Sequence, residues 1–502
     1  MNRRAYVIAF LYAYAAAPAA HAQLITVKSA PIADGGQFAF QPSANLGIGA
    51  LSIALADSSL DPFTNPAKGS RLSGTRVFGA PTFFSISRSA GGGLTLPLGL
   101  SVSSGKWFSQ ALVAMQEVDD AGTTQNGFPL LAATLDGNMQ VVDQVEVSRT
   151  NKYLHGLVGR RFTGFSVAAS ASWWALNALD GVELFYGGAN AVRQSGDALD
   201  MRVGVFKESG RESFEATILH NRTGVNQDVA FIRQLWDPSN RTFVTRPELQ
   251  PNADRTRTTG LHLGYTRQLV SDTTWRVGAI LTGNRISQPS LPGYALPQVP
   301  ADAGHASAFN VGGGIARHTG PWTYGFDAIY EPIWSRTWVS ADRPTETVQG
   351  QPIDAGTNTL NSRFRYSNAI ARLGFGVAIP IAKDKSLTLE TGGQLHAFRY
   401  NLDQWDAVQQ QQSKSTQNWN EWTRTWGASV RLVGADLRYR GSLTTGAGRP
   451  GFDRQDGVII DDVAARSSVP TPGSFSSFAP FGLVFDNVRA FTHQISLSVP
   501  IR

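Results

Sequence analysis

The second half of the chain consists of segments in which apolar and polar side chains alternate residue by residue. In the segment 259–269, for example, Leu261 and Leu263 fall on one face, while His262 and Gly264 fall on the other. An alternation of period two is typical of a β-strand, because successive side chains of a strand point to opposite faces. These segments therefore predict strands that are apolar on one side and polar on the other.

Short turns and long polar connections alternate between the predicted strands. The turns lie at 270–273, 318–321, 383–385 and 434–435, and the connections at 285–305, 335–365, 401–421 and 444–487. Compact soluble domains rarely contain several long connections without structure of their own, whereas outer-membrane barrels combine short periplasmic turns with long external loops. The alternation therefore predicts an all-β fold, a transmembrane antiparallel β-barrel with its C-terminus on the periplasmic side.

The beginning of the chain has the pattern of a secretory signal peptide. Within residues 1–22, Arg3 and Arg4 precede an apolar stretch, and small residues flank a cleavage site after Ala22. The chain contains no cysteine, which excludes a disulfide framework, a thiolate metal site and a cysteine-linked lipid anchor. A net charge of +6 without a dense Lys/Arg stripe argues against a nucleic-acid partner.

The pattern gives about 14 strands, an even number as bacterial barrels prefer. Upstream of residue 259 the predicted strands are 106–118, 152–161, 165–176, 201–207 and 213–221. Residues 23–104 are rich in Gly, Ala, Ser and Pro and mostly unpatterned, although 82–87 and 94–102 also fit strands. We therefore expect a signal peptide at 1–22, a plug or entrance segment at 23–104 and the barrel at 105–502.

Motifs for catalysis or cofactor binding are absent from the sequence. It contains no nucleophile elbow, phosphate-binding glycine loop, paired zinc histidines or EF-hand, so we expect no enzymatic activity, no catalytic residues and no cofactor. One acidic cluster has the ligand type that calcium prefers, Asp453, Asp456, Asp461 and Asp462. A solvated external loop explains this cluster better than a metal site does.

Several charged residues fall on the polar face of otherwise apolar strands. They are Arg276, Asp327, Glu331, Arg372, Glu390 and Arg431. A charge that faces the middle of a bilayer costs about 2–4 kcal/mol, so these side chains are predicted to face the lumen. There, Arg276, Arg372 and Arg431 either bind an anionic group of a substrate or form ion pairs that brace the barrel wall; we favour the bracing role.

The positions of aromatic residues fit the girdles of a membrane interface. Trp275 and Trp322 stand beside short turns, and Phe398, Tyr400 and Trp405 stand where a strand runs into a long connection. Aromatic side chains are enriched at both membrane interfaces of barrels. Aromatic residues are also common in β proteins of every kind, so this feature does not by itself decide the class.

The segment 55–72, LADSSLDPFTNPAKGSRL, resembles the N-terminal signature of the long-chain fatty-acid outer-membrane transporter family. Small residues and Asp57 lead to Asn65, Pro66 and Ala67, as in that family. The segment departs from the family at Lys68, where a glycine is usual, and a serine follows Asp57 instead of a second acid. The resemblance implies a fourteen-stranded barrel closed by an N-terminal hatch, passive uptake of hydrophobic molecules, and a hatch role for Asp57, Asn65 and Pro66.

These features together predict a channel in the outer membrane of a Gram-negative bacterium that takes up small hydrophobic solutes passively. The expected partners are outer-membrane lipid, the solute and the barrel-assembly machinery during folding. Three alternatives remain: a general diffusion porin with an open lumen, a barrel scaffold for secretion or adhesion, and a soluble secreted β enzyme.

Overall fold

The computed structural model describes most of the chain. The described residues are 24–25, 27, 37–87, 91–119, 131–133, 139–141, 150–179, 191–237, 242–269, 274–288, 303–341, 343–382, 385–432, 434–448 and 485–501. The predicted signal peptide at 1–22 and the acidic cluster between Asp453 and Asp462 both lie outside these residues.

The described residues form one large antiparallel sheet. We number its strands in chain order, with β1 made of two halves, Gly74–Gly79 and Thr82–Ile86. The next seven are β2 (Gly92–Ser104), β3 (Trp107–Asp119), β4 (Thr150–Arg161), β5 (Ser166–Leu176), β6 (Ala191–Ser209), β7 (Glu212–Asp237) and β8 (Thr242–Gln268). The remaining eight are β9 (Trp275–Gln288), β10 (Ala303–Thr319), β11 (Trp322–Ser340), β12 (Asn358–Ala382), β13 (Lys385–Asp406), β14 (Gln411–Leu432), β15 (Ala435–Gly448) and β16 (Phe485–Ile501). Two small hairpins stand outside this sheet, Leu131–Ala133 with Met139–Val141 and Thr345–Glu346 with Pro352–Ile353.

The two halves of β1 form a single barrel strand. Thr75 lies opposite Ile501 and Thr82 lies opposite Gln494, so both halves keep one register against β16. The interruption falls at Pro81, which has no backbone N–H to donate, although its carbonyl accepts a hydrogen bond from the N–H of Ile495 at 2.9 Å. Because β1 pairs with both β2 and β16, the sheet closes on itself as a barrel.

The closed barrel has 16 strands among the described residues, so the predicted count of about 14 was wrong. The two strands missing from that count are β1 and β2, which include the segments 82–87 and 94–102. The barrel wall therefore begins at Gly74, and the predicted boundary at residue 105 was too late. The predicted plug segment at 23–104 contains the first two wall strands.

The outer face of the wall is apolar. On β2 four side chains that are 41–59% exposed project outward, Leu94, Leu96, Leu98 and Leu100. On the same strand, Thr95 and Ser101 point inward and are buried. Soluble monomers rarely expose a continuous apolar surface of this kind, whereas a lipid-facing barrel requires one.

Several strands are far longer than a bilayer crossing requires. Strands β7, β8 and β12 have 26, 27 and 25 residues, whereas a crossing takes about 9–11. The excess lies at the long-loop end, opposite the short turns between hairpin strands. The predicted connection at 401–421 is thus wrong, because β13 and β14 run through it and only residues 407–410 turn.

Residues 37–73, which we call the N-terminal segment, lie inside the barrel. Gly47 contacts Glu390 and Arg440 of β13 and β15, while Gly69 contacts Phe108 of β3 on another side of the ring. A segment that touches the inner face of the wall in such separate places occupies the lumen. Within it run three short helices, Leu46–Ile48, Asp61–Thr64 and Pro66–Arg71. In the described part of the chain, no helix has the length and apolar character needed to cross a membrane.

Candidate functional site

Asp57 ties two parts of the N-terminal segment together. Its carboxylate accepts hydrogen bonds from the Ser43 hydroxyl at 2.6 Å and from the backbone N–H groups of Ala44 and Asn45 at 2.8 and 3.0 Å. It also accepts from the N–H groups that follow it at Ser59 and Leu60, both at 3.0 Å. Because carboxylates accept several backbone N–H groups strongly, Asp57 fixes the shape of the loop between residues 43 and 60.

Asn65 and Pro66 begin the last short helix and join it to the wall. Pro66 occupies the first helical position, where its missing N–H is harmless, and the Asn65 side-chain oxygen accepts from the N–H of Ala67 at 3.0 Å. The Asn65 amide donates to Glu215 of β7 at 3.0 Å. A Cβ at Gly204 of β6 would lie 2.0 Å from the Asn65 side-chain oxygen, so glycine there permits the close approach.

A group of charged residues holds the same helix at the short-turn end of the lumen. The Lys68 ammonium lies 3.2 Å from Asp61 and 2.7 Å from Glu215. Arg71 pairs with Asp61 at 3.3 Å and with Glu208 of β6 at 2.7 Å. Lys68, the residue that departs from the family signature, is therefore a central contact between this segment and the wall.

Burial changes the acid–base properties of this group. Removal from water raises the pKa of Asp61 from 3.8 to about 6, against the opposing attraction of Lys68. Burial alone lowers the pKa of Lys68, but the attraction of Asp61 and Glu215 outweighs it and raises that pKa. Lys68 therefore stays charged, while Asp61 takes up a proton near pH 6.

Glycines of the wall receive the loop of residues 46–53. An added Cβ at Gly374 of β12 would lie 2.0 Å from the carbonyl oxygen of Ile48, and one at Gly392 of β13 would lie 2.3 Å from the N–H nitrogen of Gly49. Gly312 and Gly314 of β10 contact Ile53 in the same way. Side chains at these positions would push the loop off the wall, so the glycines make a strip that fits it.

Asp327 and Arg372 stand opposite each other on β11 and β12 and hold this loop. The Asp327 carboxylate accepts from the N–H groups of Ser52 and Ile53 at 2.8 and 3.3 Å. Arg372 donates to the Ser52 hydroxyl at 3.1 Å and to Gln394 at 2.9 Å. Both charges face the lumen and contact the N-terminal segment.

Glu390 and Arg440 form a second clasp on the neighbouring strands. The Arg440 guanidinium lies 3.0 Å from the Glu390 carboxylate and donates to the carbonyl of Ala44 at 3.3 Å. Arg440 was missed in the sequence, although it lies on the buried face of β15. Thr425 of β14 was missed as well; its hydroxyl donates to the Gly47 carbonyl at 3.0 Å and accepts from the Gly49 N–H at 2.9 Å.

Arg276 and Arg431 lie at the short-turn mouth of the lumen. Both occupy inward-facing positions of their strands, as Arg372 does on β12. Arg431 is 69% exposed and lies 3.2 Å from Asp436, and Arg276 is half-buried near the start of β9. The sixth charge predicted for the lumen, Glu331 of β11, is buried. The six charges are therefore spread from the mouth of the lumen to its interior, and their role in binding a ligand remains a prediction.

An aromatic chamber lies beyond the loop, toward the long-loop end. Its buried members face inward from β9 to β14 and are Ile286, Ala306, Ala308, Ile333, Phe364, Tyr366, Phe398, Tyr400, Leu402 and Trp419. The rings of Phe398 and Trp419 stack at 4.8 Å, and those of Tyr366 and Tyr400 lie 5.1 Å apart. The prediction that Phe398 and Tyr400 belong to an interface girdle was wrong, whereas Trp322 and Trp405 are exposed on the outside.

The chamber also contains part of the chain that precedes the N-terminal segment. Ile25 is only 2% exposed and packs among these rings, with Val27 against it. A second apolar cluster lies on the opposite wall, where Phe40 and Phe63 pack against Leu112 and Tyr153. The lumen thus contains a hydrogen-bonded segment with an apolar cluster on each side of it.

The fold and the lumen define a closed β-barrel with an apolar outer face and an internal segment held by wall residues. No protein-family model and no curated protein matches the sequence. The solved structures that resemble the fold include these three. The CymD monoaromatic hydrocarbon channel is 9% identical, with 93% of this chain and 99% of that one covered and a TM-score of 0.40. The toluene transporter TbuX of Ralstonia pickettii is 10% identical, with 91% and 97% covered and a TM-score of 0.38.

The third structure is CdiB from Escherichia coli, at 12% identity and a TM-score of 0.41. It is matched over 84% of this chain, which spans 62% of the CdiB chain. At these identities and TM-scores the resemblance is one between barrels in general.

Proposed function

We propose that the protein is an outer-membrane channel through which small hydrophobic solutes enter passively, with the N-terminal segment as its plug. Two features support a location in lipid. The outer face of the wall is apolar, and the closed sheet satisfies the backbone groups of every strand without water. The barrel-assembly machinery would insert such a protein. The wall clasps at Asp327, Glu390 and Thr425 support a plug that stays docked at rest.

The observation that carries the hydrophobic specificity is the aromatic chamber with Ile25 inside it. An aliphatic side chain of the chain itself fills this space and is almost fully removed from water. A small apolar solute makes the same contacts, and burial of apolar surface favours it by about 25 cal/mol per Å². A solute that displaces Ile25 would therefore enter the lumen on the external side of the plug.

The occupied lumen argues against the general porin. A barrel of 16–18 strands with an empty interior leaves an aqueous channel, and sugars pass such channels freely. Here the loop of residues 46–53 lies against the glycine strip, and apolar clusters flank it.

Uptake by intact cells tests the proposal, because lipopolysaccharide in the outer leaflet is the barrier that hydrophobic solutes meet. Cells that lack their own hydrophobic-solute channels would express the protein and receive labelled toluene or labelled sucrose. We expect uptake of toluene that depends on the protein, and little uptake of sucrose.

Two matched variants locate the path. Phe398→Gln places an amide in the chamber, and Trp405→Gln makes the same change on the same strand at an exposed position. We expect toluene uptake to fall severalfold in the first variant and to stay unchanged in the second, with unheated gel mobility showing that both barrels are closed. Uptake of sucrose in preference to toluene would disprove the hydrophobic channel.

A further inference from the structure

A cavity of about 210 Å³ opens at the short-turn mouth, between the N-terminal segment and strands β1, β15 and β16. This volume equals that of about seven water molecules at about 30 Å³ each. The wall bordering it comes from the closing strands, and the floor comes from Ser58, Ser59 and Leu72 of the N-terminal segment. The cavity therefore lies beside the plug, where a solute would leave the lumen.

The cavity is lined by more arginines than carboxylates. Arg76 and Arg431 share one partner, Asp436, at 2.9 and 3.2 Å. Arg438 donates to the Ser59 hydroxyl at 2.9 Å, and no carboxylate of the described residues lies within ion-pair distance of it. Three guanidinium groups thus face one carboxylate, and the cavity carries a net positive charge.

The fourth arginine of the lining adds little to this charge. Arg71 pairs with Asp61 at 3.3 Å and with Glu208 at 2.7 Å, so its charge is already compensated. The excess belongs to Arg76, Arg431 and Arg438, on three strands that meet where the barrel closes. Charges of one sign in a cleft attract ions of the other sign, because the protein around them screens the field less than water does.

The other side of the cavity is apolar. Phe78 lines it together with Pro42 and Leu72. The Phe78 ring lies against Gly99, where an added Cβ would be 2.2 Å from it, so the ring is held in place. A ligand that fits both sides has an anionic head and an apolar body.

We propose that this cavity binds the carboxylate of a small apolar acid as the acid leaves the channel. The inference rests on the proposed channel function and narrows its substrate class to apolar acids. A carboxylate matches guanidinium groups in a fork geometry, and Arg438 contacts the N-terminal segment at Ser59 without an ion pair to any carboxylate of the described residues. Of the three arginines that the sequence suggested as ligands for an anion, Arg431 contributes here, whereas Arg372 is occupied with the plug.

Calorimetric titration of the purified full-length protein in detergent tests the site. The probes are benzoate, the neutral benzyl alcohol of similar size, and inorganic phosphate. The variants are Arg438→Gln, Arg431→Gln and, as a matched control, Arg365→Gln, which changes an exposed arginine on the outer face of β12. Unheated gel mobility shows which variants form the closed barrel.

We expect benzoate to bind the wild type and the Arg365→Gln variant equally, and Arg438→Gln to weaken it at least tenfold. Arg431→Gln should weaken it severalfold; since this side chain is 69% exposed, that variant folds even if the other does not. Benzyl alcohol and phosphate should bind much more weakly than benzoate. Equal benzoate binding by all variants, or phosphate binding as tight as benzoate binding, would overturn the proposal.

Toluene uptake by the same variants separates this inference from the proposed function. A neutral solute does not need the carboxylate site, so uptake should persist in Arg438→Gln. Loss of benzoate binding with normal toluene uptake supports both statements. Toluene uptake by the wild type without any benzoate binding leaves the channel intact and refutes the acid site.

Discussion

Replacing Asp57 by asparagine should destabilise the folded form of the loop between residues 43 and 60, which is the form that docks on the wall. The carboxylate accepts hydrogen bonds from five donors, one hydroxyl and four backbone N–H groups. An asparagine side chain keeps one oxygen and turns its amide toward the donors of the other, so at least two donors lose their acceptor. A buried donor without a partner costs about 1–3 kcal/mol, which gives a loss of about 4 kcal/mol for the docked loop.

The absence of cysteine from the chain provides a clean assay for this loss. A single cysteine at Ala54, a position 3% exposed, reacts with a maleimide only when the loop undocks. Because about 1.4 kcal/mol corresponds to a tenfold change in an equilibrium, Asp57→Asn should raise the labelling rate by two to three orders of magnitude.

The control for this prediction is Asp354→Asn, the same change in an exposed turn, which should leave the rate unchanged. A labelling rate in Asp57→Asn within threefold of the parent protein would show that Asp57 does not hold the loop. The hydrogen bonds around Asp57 would then have no part in keeping the lumen closed.

Three further predictions use the same thiol or the thermal midpoint of the gel-mobility shift. Gly374→Ala places a methyl group 2.0 Å from the carbonyl oxygen of Ile48 and should speed labelling of the cysteine at position 54. In Gly376→Ala the nearest atom to the added methyl group is 3.4 Å away, so the labelling rate should not change. The pKa of Asp61 is raised from 3.8 to about 6 in the docked segment, so docking takes up a proton. Docking should therefore strengthen about tenfold from pH 7.5 to pH 5. The Asp61→Asn variant should show no such change, and its labelling rate at each pH corrects for the ionisation of the thiol. Arg202→Gln removes a buried guanidinium whose carboxylate partner lies 2.6 Å away and should lower barrel stability by about 3–5 kcal/mol. Arg222→Gln changes an exposed ion pair and should cost less than about 1 kcal/mol. Equal shifts in the thermal midpoints of the two variants would contradict this reasoning.

The barrel class was predictable because lipid on one side and lumen on the other impose alternation. The alternation fails where those surroundings change. In the outer parts of β13 and β14 the outward-facing side chains meet water instead of lipid. The segment 401–421 therefore lacks an apolar outer stripe, and it was predicted as a connection. At the start of the barrel, Pro81 splits β1 into two short halves, and the pattern was too brief to count.

The charges of the lumen were predictable from strand parity, but their partners were not. Parity places Asp327, Arg372 and Glu390 inward, whereas Ser52, which contacts both Asp327 and Arg372, lies hundreds of residues earlier in the chain. Parity also contained an unused signal: Phe398 and Tyr400 share the face of Glu390 on β13. Their position inside the barrel followed from that register rather than from their distance to a loop.

The conductance of the protein in a planar lipid bilayer tests the plugged channel most directly. The test compares the wild type with a variant that lacks residues 44–59, whose flanking residues Ser43 and Leu60 both contact Asp57 and so lie close together. We expect the wild type to be closed to salt for most of the recording and the deletion variant to conduct steadily. Steady conduction by the wild type, or a closed deletion variant with normal gel mobility, would contradict the plug.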